Sequence, residues 1–310
     1  MKTVFLTGAE GFTGRLLTPF LKQRNYDVVG GVRNRARKLA YEKQWGRALV
    51  CEASDAINVA RAIASVKPDV VVHLAGPVGP DAEHDDPLAA YQSIVTGWAN
   101  ILDGVRRVTP RARVVLASSW EVYGGNQTPT VREDTALNPS DAFGSFKANA
   151  ESVAQTFFQN YHLNVAIARP FCYTGTGQSE RGFFGGIASQ LSNGRQTVNV
   201  PGLGSQRDFL HVQDVIEAYG RIIEADKPNE IYNICSGKTW SVRDLVSKLA
   251  GFGRWTGSFQ QAEGDEAWQG SYCGDNTKLR QLGWTPTRSI ESALQELAHC
   301  YAKTPVESAA

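Results

Sequence analysis

The stretch from Lys2 to Gly14, KTVFLTGAEGFTG, constrains this chain more than any other. Val4, Phe5 and Leu6 form a short apolar run, the pattern of a strand buried on both faces of a parallel sheet. Glycines at 8, 11 and 14 follow at once, and Arg15, Leu16, Leu17, Phe20 and Leu21 open a helical pattern. A strand that turns tightly into a helix leaves backbone N–H groups and the positive end of the helix dipole aimed at one spot. A pyrophosphate suits that spot, provided no Cβ stands in its way, which the GxxGxxG spacing ensures. Glycine-rich turns can also serve strand–helix packing alone. The position of this one, opening an N-terminal βαβ unit, favours a dinucleotide site.

The strand–helix alternation continues. A second strand runs from Asp27 to Val32 and is followed by Arg33, Asn34, Arg35, Arg37 and Lys38. NAD-binding units place an acid near this point to hold the ribose 2′-hydroxyl, whereas here arginines crowd the position. That pattern fits a 2′-phosphate and therefore NADP(H), with NAD as the alternative and a solvated loop as the plain reading. A third strand, Ala48 to Cys51, leads to Asp55, which either meets the adenine or caps the next helix. Pro68 to Gly76 reads as a fourth buried strand with a glycine turn, and His73 inside it reads as packed. His84 among acids, between Asp81 and Asp86, lacks a second ligand cluster and reads as solvated loop, so no metal site is expected. A long helix from about Pro87 to Arg107 precedes the fifth strand, Arg113 to Ala117.

Composition excludes several classes. With 32 basic and 31 acidic residues the chain offers no polyanion-binding surface, so no nucleic-acid partner is expected. No apolar run approaches the ~18 residues of a membrane span. Met1 leads straight into the first strand, with no room for a signal peptide. Cys51, Cys172, Cys235, Cys273 and Cys300 are widely spaced and form no CxxC pair, as expected of a reduced, cytoplasmic chain.

In open α/β sheets ligands bind at the carboxyl ends of the strands. The fifth strand ends in ASSWEVYG, residues 117–124, and Phe143 and Lys147 share one face of the helix that follows. A sixth strand, Val165 to Arg169, ends in Pro170-Phe171-Cys172-Tyr173-Thr174-Gly175. The later segment loses the rhythm: Gly182 to Val200 could cover a sugar, and Trp240, Trp255, Trp268 and Trp284 are either core or a base-stacking platform.

Six ordered blocks (TGAEGFTG, PDVVVHLAG, ASSWEVYG, the helix carrying Lys147, RPFCYTGTGQ and RDFLHVQD) resemble the extended short-chain dehydrogenase/reductases that act on nucleotide sugars. GTGQ, the stretch Ile231 to Gly237 and GDNTKL look most similar to GDP-mannose 4,6-dehydratases and GDP-4-keto-6-deoxymannose reductases. The resemblance implies a cofactor-binding set of Gly8, Gly11, Phe12, Thr13, Gly14, Arg33, Asp55, Leu74, Ala75, Gly76, Lys147 and Pro170. It implies that Ser119 hydrogen-bonds the reacting C4 oxygen and that Glu121 is a base at C5. Lys147 would bind the nicotinamide ribose, Arg207 would hold the substrate diphosphate, and Trp120 and Cys172 would line the sugar pocket. A homodimer is implied as well.

The departures bear on the chemistry. The family's catalytic tyrosine falls at Phe143, which keeps the ring and cannot exchange a proton. The dehydratase aspartate falls at Trp120, a helix asparagine at Ile94 and a substrate-contacting asparagine at Cys172. A C-terminal arginine has no counterpart near Ala262 to Asp265. The expected architecture is a doubly wound parallel sheet (Rossmann) over 1–170, with 208–235 returning to it. Residues 171–207 and 236–310 form a smaller C-terminal substrate lobe. The expected function is an NADP-dependent nucleotide-sugar enzyme, an oxidoreductase or lyase that oxidises C4 and then dehydrates or epimerises. A 4-keto-sugar reductase is the alternative, as is a non-catalytic binding protein, which Phe143 would permit.

Overall fold

The computed structural model describes residues 1–77, 86–125, 130–225, 227–262 and 270–302. Strands β1 (Thr3–Thr7), β2 (Asp27–Val32), β3 (Ala48–Val50), β4 (Val70–His73), β5 (Arg113–Ala117) and β6 (Asn164–Pro170) alternate with helices. Next come β7 (Cys172–Thr174), β8 (Thr197–Val200), β9 (Gln206–His211) and β10 (Glu230–Ile234). The large sheet has the order β10-β6-β5-β4-β1-β2-β3, with every pair parallel. Both faces are covered, which explains the unbroken apolar strands. Val4 and Leu6 pack on one side with Leu17, Leu21, Val215 and Tyr219, while Phe5 packs on the other with Ile63, Trp98 and Ile101.

Of residues 208–235, the helix Val212–Glu224 packs on the large sheet and β10 joins it. β9 instead centres a small sheet, flanked by β7, β11 (Thr239–Ser241) and β13 (Ser271–Tyr272), while β8 pairs β12 (Ser258–Gln261). A separate core of Phe184, Ile187, Leu245, Leu249, Leu294 and Leu297 lies beside these strands.

The expected single α-helix from Pro87 to Arg107 is corrected. The helix Pro87–Tyr91 passes through a π turn, Gln92–Thr96, before resuming as Gly97–Val108. A π turn holds one extra residue, which an apolar pattern of period 3.6 does not reveal. Ile94 sits in that turn, fully buried. No helix among the described residues is long and apolar enough to cross a membrane.

Candidate active site

The three glycines of the first turn do different things. Gly8 has φ +67°, and a Cβ there would lie 2.7 Å from the Ala75 nitrogen. A Cβ on Gly14 would lie 2.3 Å from the Gly8 oxygen. Both are therefore required by the chain's own backbone crossing. Gly11 precedes α1 (Phe12–Gln23) in extended conformation; no side chain caps that helix, and its first turn carries no acid. The first N–H groups of α1 are thus left to an anion, and the turn fits a pyrophosphate. Leu74, Ala75 and Gly76 pass directly behind it, with the Leu74 N–H donating to the Thr7 oxygen at 3.2 Å.

Tyr173, the middle residue of β7, reaches the same turn. Its hydroxyl lies 2.8 Å from Thr13 Oγ1 and its ring stacks on Phe12 at 5.9 Å. Arg33 at the end of β2 is solvent-exposed and lies 3.7 Å from Glu52. Asn34 caps α2 (Arg35–Trp45), and Arg37 pairs with Glu10. Asp55 caps the next helix, its carboxylate accepting from the Ile57 and Asn58 N–H groups.

The candidate catalytic side chains gather where β5 stops. Ser119 caps a short 3₁₀ turn, Trp120–Tyr123, and its Oγ donates to Glu121 Oε2 at 2.5 Å. The sequence thus turns the carboxyl back onto its own strand end. Lys147, on the helix Ala142–Tyr161, is buried and donates Nζ to the Ala117 oxygen at 2.7 Å. That Nζ stands 5.4 Å from the centre of the Phe143 ring and 5.6 Å from that of Trp98. Burial pulls Lys147 down to about 8, with Glu121 and Glu151 opposing the shift. Burial pushes Glu121 up to about 7; Asp141 adds to this, while the Ser119 bond, Arg207 and Lys147 oppose it. A carboxyl with its ionisation near neutrality, under the influence of two cations, has the profile of a general acid–base group.

Arg207 on β9 is held by Ser205 Oγ at 2.9 Å and lies 5.3 Å from the Phe183 ring. It bears electrostatically on both Glu121 and Cys172, which brings Ser119, Glu121, Lys147, Cys172 and Arg207 into one locality. Burial pushes the Cys172 thiol up to about 12, so it stays protonated at neutral pH and offers no base. Tyr123 donates to Asn233 Oδ1 and accepts from Arg169, each at 2.7 Å. Arg169 in turn grips the buried Glu151, which takes the Ser118 hydroxyl as well. This network clamps the end of β5 against β6 and had no signature in the sequence. Trp120 is 6% exposed and packs against Phe171 and Tyr272, a wall behind the site. Pro170 ends β6 beside it.

His73 is sealed inside β4 against Thr7 at 2.6 Å, and burial holds it down at about 3. Trp284 and Trp240 belong to packed cores, and Trp255 rests on Phe259. Trp268, His84 and most of the stretch Ala262 to Asp265 lie outside the described residues. No metal-ligand cluster occurs among the described residues.

A seven-strand parallel sheet, a glycine turn under a helix N-terminus and ionisable side chains at the strands' carboxyl ends are the build of the extended short-chain dehydrogenase/reductases. Within that class, the family GDP-mannose 4,6 dehydratase matches residues 5–297, and the chain belongs to it. It is similar to the GDP-6-deoxy-D-mannose reductase of Pseudomonas aeruginosa, 28% identical over 240 residues, 74% of this chain and 79% of that protein. Similarity to the UDP-glucose 4-epimerase of Mycolicibacterium smegmatis is also 28%, over 306 residues, 95% of this chain and 96% of the other. The solved structure of RMD from Pseudomonas aeruginosa complexed with NADPH covers 98% of this chain and 100% of its own, at TM-score 0.82 and 23% identity, a likeness of fold.

Proposed function

We propose that this protein is an NAD(P)-dependent nucleotide-sugar enzyme that oxidises C4 of its sugar transiently and uses Glu121 to remove the C5 proton, leading to dehydration or epimerisation. The observation that carries this reading is the Glu121 carboxyl, held by Ser119 at 2.5 Å, with the charges of Lys147 and Arg207 bearing on it. The names of the similar proteins, a reductase and an epimerase of nucleotide sugars, support the substrate class. Bound at the glycine turn, a nicotinamide dinucleotide supplies hydride exchange at C4. Gly8, Gly11, Phe12, Thr13 and Gly14 would hold its diphosphate and Lys147 its nicotinamide ribose. Arg33 would hold a 2′-phosphate, so NADP(H) is the proposed cofactor. Ser119 would hold the C4 oxygen, and Arg207 the substrate diphosphate.

A C4 carbonyl acidifies the neighbouring C5–H, and a carboxylate with ionisation near 7 removes such a proton at neutral pH. Lys147 favours the negative charge that develops on the C4 oxygen, with Arg207 given to the substrate diphosphate. Incubation with substrate in D₂O should place deuterium at C5 of the recovered sugar, and Glu121→Gln should abolish the label while cofactor binding stays intact. Unchanged labelling in the variant would reassign the base. No labelling in any form would leave 4-keto reduction as the function. That second reading has a specific observation in its favour: the carboxyl is hydrogen-bonded to the serine proposed for the C4 oxygen. A cytoplasmic homodimer completes the proposal, with Leu88, Tyr91 and Tyr161 as exposed apolar side chains.

A further inference from the structure

We propose that Ser119 and Glu121 act together as the proton couple for the C4 oxygen, the task for which Phe143 offers no hydroxyl. The inference rests on the C4 chemistry proposed above and assigns its proton path. In the reductive direction the C4 oxygen takes the proton of Ser119 Oγ, and Ser119 takes one from Glu121 Oε2 across the 2.5 Å hydrogen bond. The new C4–H bond forms with hydride from a reduced nicotinamide dinucleotide, and the C4 carbonyl double bond becomes a single bond. Glu121 is left as the carboxylate and regains its proton from solvent. Oxidation runs the same path backwards.

The surroundings leave few other carriers. Phe143 has no exchangeable proton on its side chain. Tyr123 is engaged by Arg169 and Asn233, and the Cys172 thiol is pushed up to about 12. His73 is sealed against Thr7, and Asp141 caps its helix through the Gly144 N–H. Lys147 is directed to the Ala117 carbonyl and lies over the Phe143 ring. A serine alone is a weak acid and a weak base, but a serine already bonded to a carboxyl passes the proton in one concerted movement. The groups bearing on Glu121 are Ser119, Asp141, Arg207 and Lys147, and with burial they set its ionisation at about 7. Run in the oxidative direction the couple passes the C4 proton on to solvent, which returns Glu121 to the carboxylate that the proposed C5 step needs.

Four full-length forms decide it: the chain as it stands, Glu121→Gln, Phe143→Tyr and the double variant. The probes are GDP-6-deoxy-D-mannose with NADP⁺, followed by nicotinamide absorbance in a single turnover. Oxidation by the chain as it stands should speed up as pH rises through about 7, where Glu121 ionises. Glu121→Gln should remove that limb and slow the step about 10²–10⁴-fold. The double variant should recover the step, because the new phenol beside Lys147 replaces the couple. A Glu121→Gln form that keeps rate and pH limb overturns the proposal, as does a double variant that binds both probes without recovering. An infrared titration of the Glu121 carboxyl needs no turnover. Ser119→Ala removes the bond that favours the carboxylate and should move that titration to higher pH. If Phe143→Tyr also fails to turn over the probes, the substrate reading falls. The infrared titration then judges the couple by itself, and an unmoved carboxyl overturns it.

Discussion

The cofactor end and the reactive end of this molecule are built from different materials. The phosphate turn is made of backbone: Gly8 and Gly14 approach other main-chain atoms so closely that a single added carbon would collide. The proposed reactive end is made of side chains on the 3₁₀ turn after β5, on β9 and on the helix Ala142–Tyr161. There the residue types have changed at 94, 120, 143 and 172 relative to the pattern the chain resembles, while Ser119, Glu121, Lys147 and Arg207 remain. A site built from backbone loses its geometry with one Cβ. A site built from side chains can lose one group and keep the positions of the others, which leaves the remaining groups open to a new division of labour.

Restoring the missing hydroxyl is the strongest way to sharpen this contrast. Phe143→Tyr adds one oxygen beside Lys147, whose Nζ already lies 5.4 Å from the ring centre. A positioned acid–base group contributes about 10²–10⁴-fold, or roughly 3–5 kcal/mol of barrier. Single-turnover hydride transfer should rise within that range, near its lower end if Ser119 and Glu121 already carry the proton. No gain at all would mean that the ring at 143 does not face the reacting oxygen.

The backbone end breaks differently. Gly14→Ala sets a methyl group 2.3 Å from the Gly8 oxygen, and the turn must shift to admit it. Overpacking of this kind costs about 1–3 kcal/mol, and the displaced N–H groups should weaken cofactor binding as well. Gly251→Ala is the control, since nothing lies within 4 Å of its Cβ position in the helix Val242–Phe252. Alanine there should be neutral or stabilising by roughly 0.4–1 kcal/mol. Denaturant midpoints and cofactor titration on both variants check the pair. A Gly14→Ala form that binds cofactor as tightly as before would remove the turn from the site.

The same contrast separates what could be read from the chain. The first strand, turn and helix are local, and their apolar run and glycine spacing express both the fold and its phosphate chemistry. The helices Val212–Glu224 and Val242–Phe252 are equally plain from their periodicity. Three features were not legible, two of them because they depend on distant contacts. Tyr173 closes on Thr13 across 160 positions of sequence. Glu151 and Arg169 clamp β5 to β6, although each alone reads as an ordinary surface charge. The π turn at Gln92–Thr96 needs an inserted residue that periodicity absorbs without trace. The Ser119–Glu121 bond lies between these cases: both residues were singled out, but the 3₁₀ turn that folds one onto the other was not.

The smallest expected effect tests the outer edge of the cofactor end, where side chains again take over from backbone. Arg33 is 66% exposed on its side chain and faces Glu52 at 3.7 Å, a pair too open to water to matter much for stability. Arg33→Ala should therefore leave the unfolding midpoint within about 0.5 kcal/mol of its starting value. A hydrogen bond to a charged group contributes about 1.5–3 kcal/mol, less where solvent screens it, so NADP affinity should fall roughly tenfold. NAD affinity should stay where it was, because NAD carries no 2′-phosphate for the guanidinium to meet. Glu52→Gln should do the reverse on a smaller scale by removing the carboxylate that competes for Arg33. Raising the salt concentration should shrink both differences, since all the charges involved are near the surface. If the two dinucleotides bind the Arg33→Ala form with equal losses, or with none, Arg33 belongs to a solvated loop. The preference for NADP would then have no basis at the end of β2.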